Sequence, residues 1–154
     1  MSVQTPSQAI LAATAYHEAG HAVAASLKKI PFKLVTIEAD ALSAGYVKFL
    51  KPTRSFVGQH RRGVIALAGE ASQRRFNPQS VRSYHAEQDR EAVIAYAFNL
   101  AGSEKAVQAL VKLWSIQATE LIEFRWPSVQ KVAAMLLQRR TISQADVWAL
   151  VFSR

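Results

Sequence analysis

From Pro6 to about Lys29 the chain is rich in alanine, with apolar residues recurring at helical spacing: Ile10, Leu11, Ala15, Ala19, Ala22, Val23 and Leu27. A helix of that length fixes what the rest of the chain can pack around. Its start is encoded locally. Thr5 is a suitable N-cap, Pro6 a suitable first helical residue, and Gln8 the return partner of a capping box. Pro31 is expected to end it. Inside this helix lies His17-Glu18-Ala19-Gly20-His21.

Four residues of helix turn His21 by roughly 40° from His17 and carry it one turn along the axis, so both imidazoles reach one metal ion. Glu18 sits on a neighbouring face, where it serves as a base without being a ligand. Two ligands and a base on one rigid element are the physical content of a His-Glu-x-x-His motif. A chance placement is the alternative, but this match is solitary in a short chain and its helical context is right. Gly20 costs about 1 kcal/mol against Ala in a helix interior. Its place beside a ligand predicts the close approach of another backbone. The chain contains no cysteine, which excludes disulfides and thiolate ligands and leaves His, Asp and Glu. A catalytic zinc needs a third protein ligand. A third His six residues after the second is excluded, because that position is Leu27. His60, Glu70, His85, Glu87, Asp89 and Glu91 remain, and spacing alone does not choose among them.

Beyond the first helix, strands are expected over Phe32–Ala39 and Gly45–Leu50, paired antiparallel, with Phe32, Leu34 and Thr36 on one face and Lys33, Val35 and Ile37 on the other. Two strands are marginal alone and must pack on helices or join a larger sheet. Helices follow over Ser55 to about Phe76 (apolar face Val57, Val64, Ile65, Leu67, Ala68, Ala71), Tyr84–Leu100, Ser103 to about Phe124, and Val129–Arg139. Thr141-Ile142-Ser143 is read as the cap of a last helix through Trp148 to Phe152. The reading is one domain over 1–154, mainly α with a small β-hairpin or sheet (α+β), a zincin-like helix and a helical bundle.

The stretch Ala15-Tyr16-His17-Glu18-Ala19-Gly20-His21-Ala22-Val23 resembles the peptidase domain of the FtsH family of ATP-dependent zinc metallopeptidases. Val35-Thr36-Ile37 and Gly45-Tyr46 are similar to that family's strand pair. Ile65-Ala66-Leu67-Ala68-Gly69-Glu70-Ala71-Ser72 looks like its glycine-rich helix, with Glu70 where the family has Arg. Ala86-Glu87-Gln88-Asp89 is similar to its Gly-Ala-x-x-Asp segment, with His85 in place of the Gly. The resemblance implies a bundle of that type, a Zn2+ cofactor, and Asp89 as third ligand beside His17 and His21. Tyr84 and His85, just before Asp89, are candidates to stabilise an oxyanion or brace the ligands. The family's ATPase module and membrane segments have no counterpart in these residues. The expected activity is hydrolysis of peptide bonds in unfolded or flexible polypeptide, independent of ATP or with a separate AAA+ ATPase. Homo-oligomerisation is a further expectation.

An extended substrate could pair with a strand edge near Val35–Ile37 or Tyr46–Phe49. The chain carries 19 Lys and Arg against 11 Asp and Glu, a net +8, which favours acidic partners. Its basic pairs (Lys28-Lys29, Arg61-Arg62, Arg74-Arg75, Arg139-Arg140) are scattered and no nucleic-acid motif accompanies them, so nucleic acid is not the favoured partner. The rival readings are a non-catalytic zinc-bound interaction domain and a basic nucleic-acid-binding protein. His60, beside Arg61 and Arg62, is expected on a solvated face; Trp114, Trp126 and Trp148 are expected in the core. No secretory signal pattern and no membrane span is read, and the expected location is cytoplasmic.

Overall fold

The computed structural model describes residues 5–81 and 87–153. Helix α1 (Pro6–Leu27) begins with the anticipated capping box: Gln8 N donates to Thr5 Oγ1 at 3.2 Å and Thr5 N donates to Gln8 Oε1 at 2.8 Å. It stops two residues before Lys29, ahead of Pro31. Lys29 adopts a positive φ of 57°, and this left-handed residue turns the chain. The second half of α1 is buried on every side, Ala22, Val23, Ala24 and Ala25 being successive core residues. Small side chains let neighbours close in all round, which is how a helix apolar on all faces is stabilised.

The neighbours are α2 (Phe56–Phe76), α5 (Trp126–Arg139), α6 (Gln144–Val151) and a small sheet. Two further helices, α3 (Glu87–Leu100) and α4 (Glu104–Phe124), pack against α2. A single buried apolar cluster runs from Ala15 to Val151. The architecture is mainly helical with a three-stranded antiparallel sheet, an α+β arrangement. No helix among the described residues is long and apolar enough to cross a membrane.

Strands β1 (Phe32–Thr36) and β2 (Tyr46–Phe49) pair antiparallel, both shorter than their expected spans. The expected alternation fails in β1. The register shifts between Phe32 and Leu34, so Phe32 and Val35 are both core residues and Thr36 and Ile37 are buried after them. Thr141–Ser143 does more than cap a helix. It forms β3, which pairs with β1 and gives the order β2-β1-β3. Ser143 also caps α6, in a capping box with Asp146. Because β1 is central, Val35–Ile37 offers no free edge; β2 does.

α2 is capped by Ser55 and runs to the expected Phe76. Its buried face keeps Val64, Ile65 and Ala68 of the expected apolar stripe but not the rest. Val57 is exposed, Leu67 and Ala71 are half-buried, and glycines with Ser72 and Gln73 complete the contact. A Cβ at Gly63 would collide with the Trp114 ring. Trp114 is buried as expected. His60 is not on a solvated face: it is half-buried and its Nδ1 accepts a 3.3 Å hydrogen bond from Trp114 Nε1. A buried indole N–H needs a partner, and His60 supplies it. Trp126 is half-buried and stacks on Tyr16, and Trp148 is 42% exposed, so neither is a core residue.

The α1–α2 crossing is tight. A Cβ at Gly20 would lie 2.5 Å from the Ala68 carbonyl oxygen and 2.5 Å from Ser72 Cβ. Ser72 Oγ donates to the Tyr16 carbonyl at 2.5 Å across the same contact. Helix propensity alone would make Gly20→Ala stabilising by about 1 kcal/mol. Overpacking against a backbone carbonyl reverses the sign, so Gly20→Ala is expected to destabilise by about 1–3 kcal/mol in urea unfolding.

Candidate metal centre

α1 presents His17 and His21 towards α2, and both side chains are buried. Their Nε2 atoms lie 3.1 Å apart. Asp89, in the first turn of α3, brings Oδ2 to 2.9 Å from His17 Nε2 and 3.1 Å from His21 Nε2. α2 holds the other side of each ring. His17 Nδ1 donates to Gln73 Oε1 at 2.9 Å, and His21 Nδ1 donates to the Ile65 carbonyl at 2.7 Å. The Gln73 amide is itself oriented, because its Nε2 donates to the Ser80 carbonyl and Oγ. With both Nδ1 protons committed, an imidazole in its neutral form points an Nε2 lone pair at the other ring and at a carboxylate oxygen.

Three acceptors within about 3 Å of one another repel unless a cation or a proton sits between them. Zinc bonds of 2.0–2.1 Å in a tetrahedron put ligand atoms about 3.3 Å apart, close to these spacings. The surroundings leave room: a Cβ at Gly69 would collide with His21 Nε2 and fall 2.8 Å from His17 Nε2. The donor set therefore fits a metal ion.

Two carboxylates lie in range, and they are not equivalent. The ligand-capable atoms of His17, Glu18 and His21 all lie within 4.8 Å of one another. Yet Asp89 touches both Nε2 atoms, whereas Glu18 Oε2 is buried with no hydrogen-bond partner among the described residues. Contact distance favours Asp89 as the third ligand and leaves Glu18 beside the cluster with a free oxygen. An open cavity of about 1360 Å³ connects these four residues to solvent and is walled by β2 residues Tyr46 and Phe49.

The protonation states follow from this packing. Burial pushes the Glu18 carboxyl up; the two imidazoles oppose that and Asp89 adds to it. Burial by itself pulls the His21 imidazolium down, but Asp89, Glu18 and the Ile65 carbonyl outweigh it and push its pKa up to about 9. Burial likewise raises the Asp89 carboxyl, and the His21 charge with the hydrogen bonds from both histidines overcomes it, holding Asp89 well below the usual carboxylate range.

The structure thus brings together His17, Glu18, His21 and Asp89. Of the other ligand candidates, it engages His60 and Glu70 elsewhere. His60 is engaged by Trp114, and Glu70 is paired with Arg74 and Arg90 at 2.9 Å each. That pairing ties α2 to α3 through Arg90 and leaves Glu70 an ion-pair partner. Glu87 and Glu91 are exposed on the cavity wall. Tyr84 and His85 lie outside the described residues. Sequence reasoning did not find Gln73, the Ile65 carbonyl or the steric role of Gly69. Ile65, Gly69 and Gln73 recur four apart on α2, and a Gln in a stripe otherwise made of apolar and small residues was the available signal. The chain matches no protein-family model and no curated protein sequence.

Gly69→Ala is expected to leave the helix folded, by circular dichroism, and to reduce bound metal several-fold by elemental analysis, because the new methyl group occupies the space between the rings. In metal-free protein, the His21 pKa is raised over the unfolded value near 6.5. Its stabilising contribution is therefore complete below about pH 6.5 and lost as the pH rises through about 9. Urea unfolding of chelator-treated protein should show that loss, and His21→Gln should flatten it.

Proposed function

We propose that this chain is a zinc-dependent metallopeptidase domain of the FtsH peptidase type, cleaving peptide bonds in unfolded or flexible polypeptide. The observation that carries the reading is the convergence of His17 Nε2, His21 Nε2 and Asp89 Oδ2 within about 3 Å, beside a buried Glu18 with an unpartnered oxygen. His17, His21 and Asp89 would hold the ion. Bound there, zinc supplies a Lewis acid and lowers the pKa of a water at the site.

The chain's own residues do the rest. Gln73 and the Ile65 carbonyl hold the imidazoles in the Nδ1–H tautomer, so their Nε2 lone pairs stay directed at the ion. Glu18 takes a proton from the attacking water and delivers it to the leaving amine. Its raised pKa suits both halves of that transfer, since a base that is too weak will not accept the proton and an acid that is too weak will not return it. The edge of β2 offers unpaired backbone groups to an extended peptide. Its start lies against Glu18: a Cβ at Gly45 would be 3.0 Å from Glu18 Cγ. A peptide added to that edge passes over the base.

Elemental analysis of purified protein is expected to give about one zinc per chain, lost in His17→Ala, His21→Ala and Asp89→Ala. Glu18→Gln should keep the zinc and lower cleavage of an unfolded protein such as casein by 10²-fold or more, in the range for loss of a general base. A Glu18→Gln variant that cleaves at the wild-type rate would end the base assignment.

A further inference from the structure

Arg62 lines the same cavity and has no part in the hydrolytic scheme. Its guanidinium carbon lies 3.6 Å from the centroid of the Phe49 ring and 6.0 Å from that of Tyr96. One of its nitrogens, Nη1, is sealed from solvent and has no hydrogen-bond partner among the described residues. No described carboxylate forms an ion pair with it, and residues 82–86 contain no Asp or Glu. A guanidinium does not escape burial by losing its proton. Here the charge is partly dried and held over an aromatic face. A counter-anion is missing.

Its position relative to the reacting centre can be measured along two elements. On α2, Arg62 precedes Gly69, which lies against the imidazoles, by seven residues, about 10 Å of helix. Along β2, Phe49 lies four residues after Gly45, which abuts Glu18; that is about 13 Å of strand. An extended peptide covers about 10–13 Å in three to four residues. Both routes put the cation in the same cavity beside Phe49, three to four residues of extended chain from the base.

We propose that Arg62 anchors a carboxylate of the bound peptide about three to four residues from the bond that is cut. This deepens the peptidase reading and rests on it for the nature of the ligand. The carboxylate has two sources. A peptide running antiparallel to β2 places an acidic side chain at Arg62, upstream of the scissile bond. A peptide running parallel places its own C-terminal carboxylate there.

The test is binding, which needs no bond cleavage. Fluorescein-labelled decapeptides of Ala, Leu and Ser, amidated at the C-terminus, carry either Glu or Gln at each position in turn; one further peptide has a free C-terminus. Fluorescence anisotropy with zinc-loaded Glu18→Gln protein should show one Glu peptide, or the free-acid peptide, binding about tenfold tighter than its neutral partner. Arg62→Met keeps the stem packed on Phe49 and should erase that gain, whereas Arg62→Lys should retain part of it. Should Arg62→Met fail to fold, the Glu-to-Gln comparison in the Arg62-intact protein and the Arg62→Lys variant decide. No gain from a carboxylate at any position, or a gain that survives in Arg62→Met, overturns the anchor. Cleavage of casein by wild-type protein is scored separately. An active enzyme indifferent to peptide charge sinks the anchor alone, and an inactive protein that binds carboxylates through Arg62 sinks only the hydrolytic reading.

Discussion

The close crossing of α1 and α2 is the contact on which the rest of the molecule depends. Gly20 lets the Ala68 carbonyl and Ser72 approach the α1 backbone, and Ser72 ties the two helices with a hydrogen bond to Tyr16. On the same face of α2, Gly69 leaves the space into which the His17 and His21 rings extend. Any side chain at either glycine would wedge the helices apart. Packing and chemistry thus share one interface: the same closeness that builds the core aligns the Ile65 carbonyl and the Gln73 amide with the two Nδ1 atoms.

That interface also governs the electrostatics. Two imidazoles and two carboxylates lie together at the inner wall of the cavity, three of them buried and Asp89 half-buried, where a lone charge is expensive. The groups escape this by sharing. Asp89 stays ionised because two ring nitrogens face it, His21 holds a proton because Asp89 and Glu18 surround it, and Glu18, with no partner for one oxygen, is driven towards its neutral form. A divalent cation between the Nε2 atoms would take the place of the His21 proton. The cavity then extends along β2 to Arg62, whose charge has no ion-pair partner among the described residues. The proposed metal site and the proposed carboxylate anchor mark the two ends of one groove.

Several features of this arrangement were legible in the chain before any coordinates. The capping box at Thr5 and Gln8 fixed the start of α1, and the four-residue spacing put His17 and His21 on one side of it. The helix starts near Ser55 and Ser103 and the cap at Ser143 were placed correctly, because cap chemistry acts within four residues, whereas α5 starts at Trp126, three residues before its expected Val129. Readings failed where a distant partner decides. Phe32 and Val35 face the same core because a bulge interrupts the alternation. Thr141–Ser143 is too short to show strand periodicity and becomes a strand only through pairing with β1. His60 left the expected basic surface because a buried Trp114 required an acceptor.

The sequence by itself determined the rigid helix, its two imidazoles one turn apart, and the carboxylate that follows the first of them, since all three are set by local backbone geometry. It left six residues open as the third ligand on spacing alone, and resemblance pointed to Asp89. Only the tertiary structure brought Asp89 Oδ2 against both ring nitrogens, across 68 and 72 residues of chain, while engaging His60 and Glu70 elsewhere. It alone made β1 central and left β2 at an edge, and it alone set Arg62 on Phe49 without an ion-pair partner among the described residues. The division has one physical cause. Helix periodicity and capping are written in neighbouring residues, whereas a ligand set, a sheet edge and an unpaired charge are properties of groups that meet only when the chain has folded.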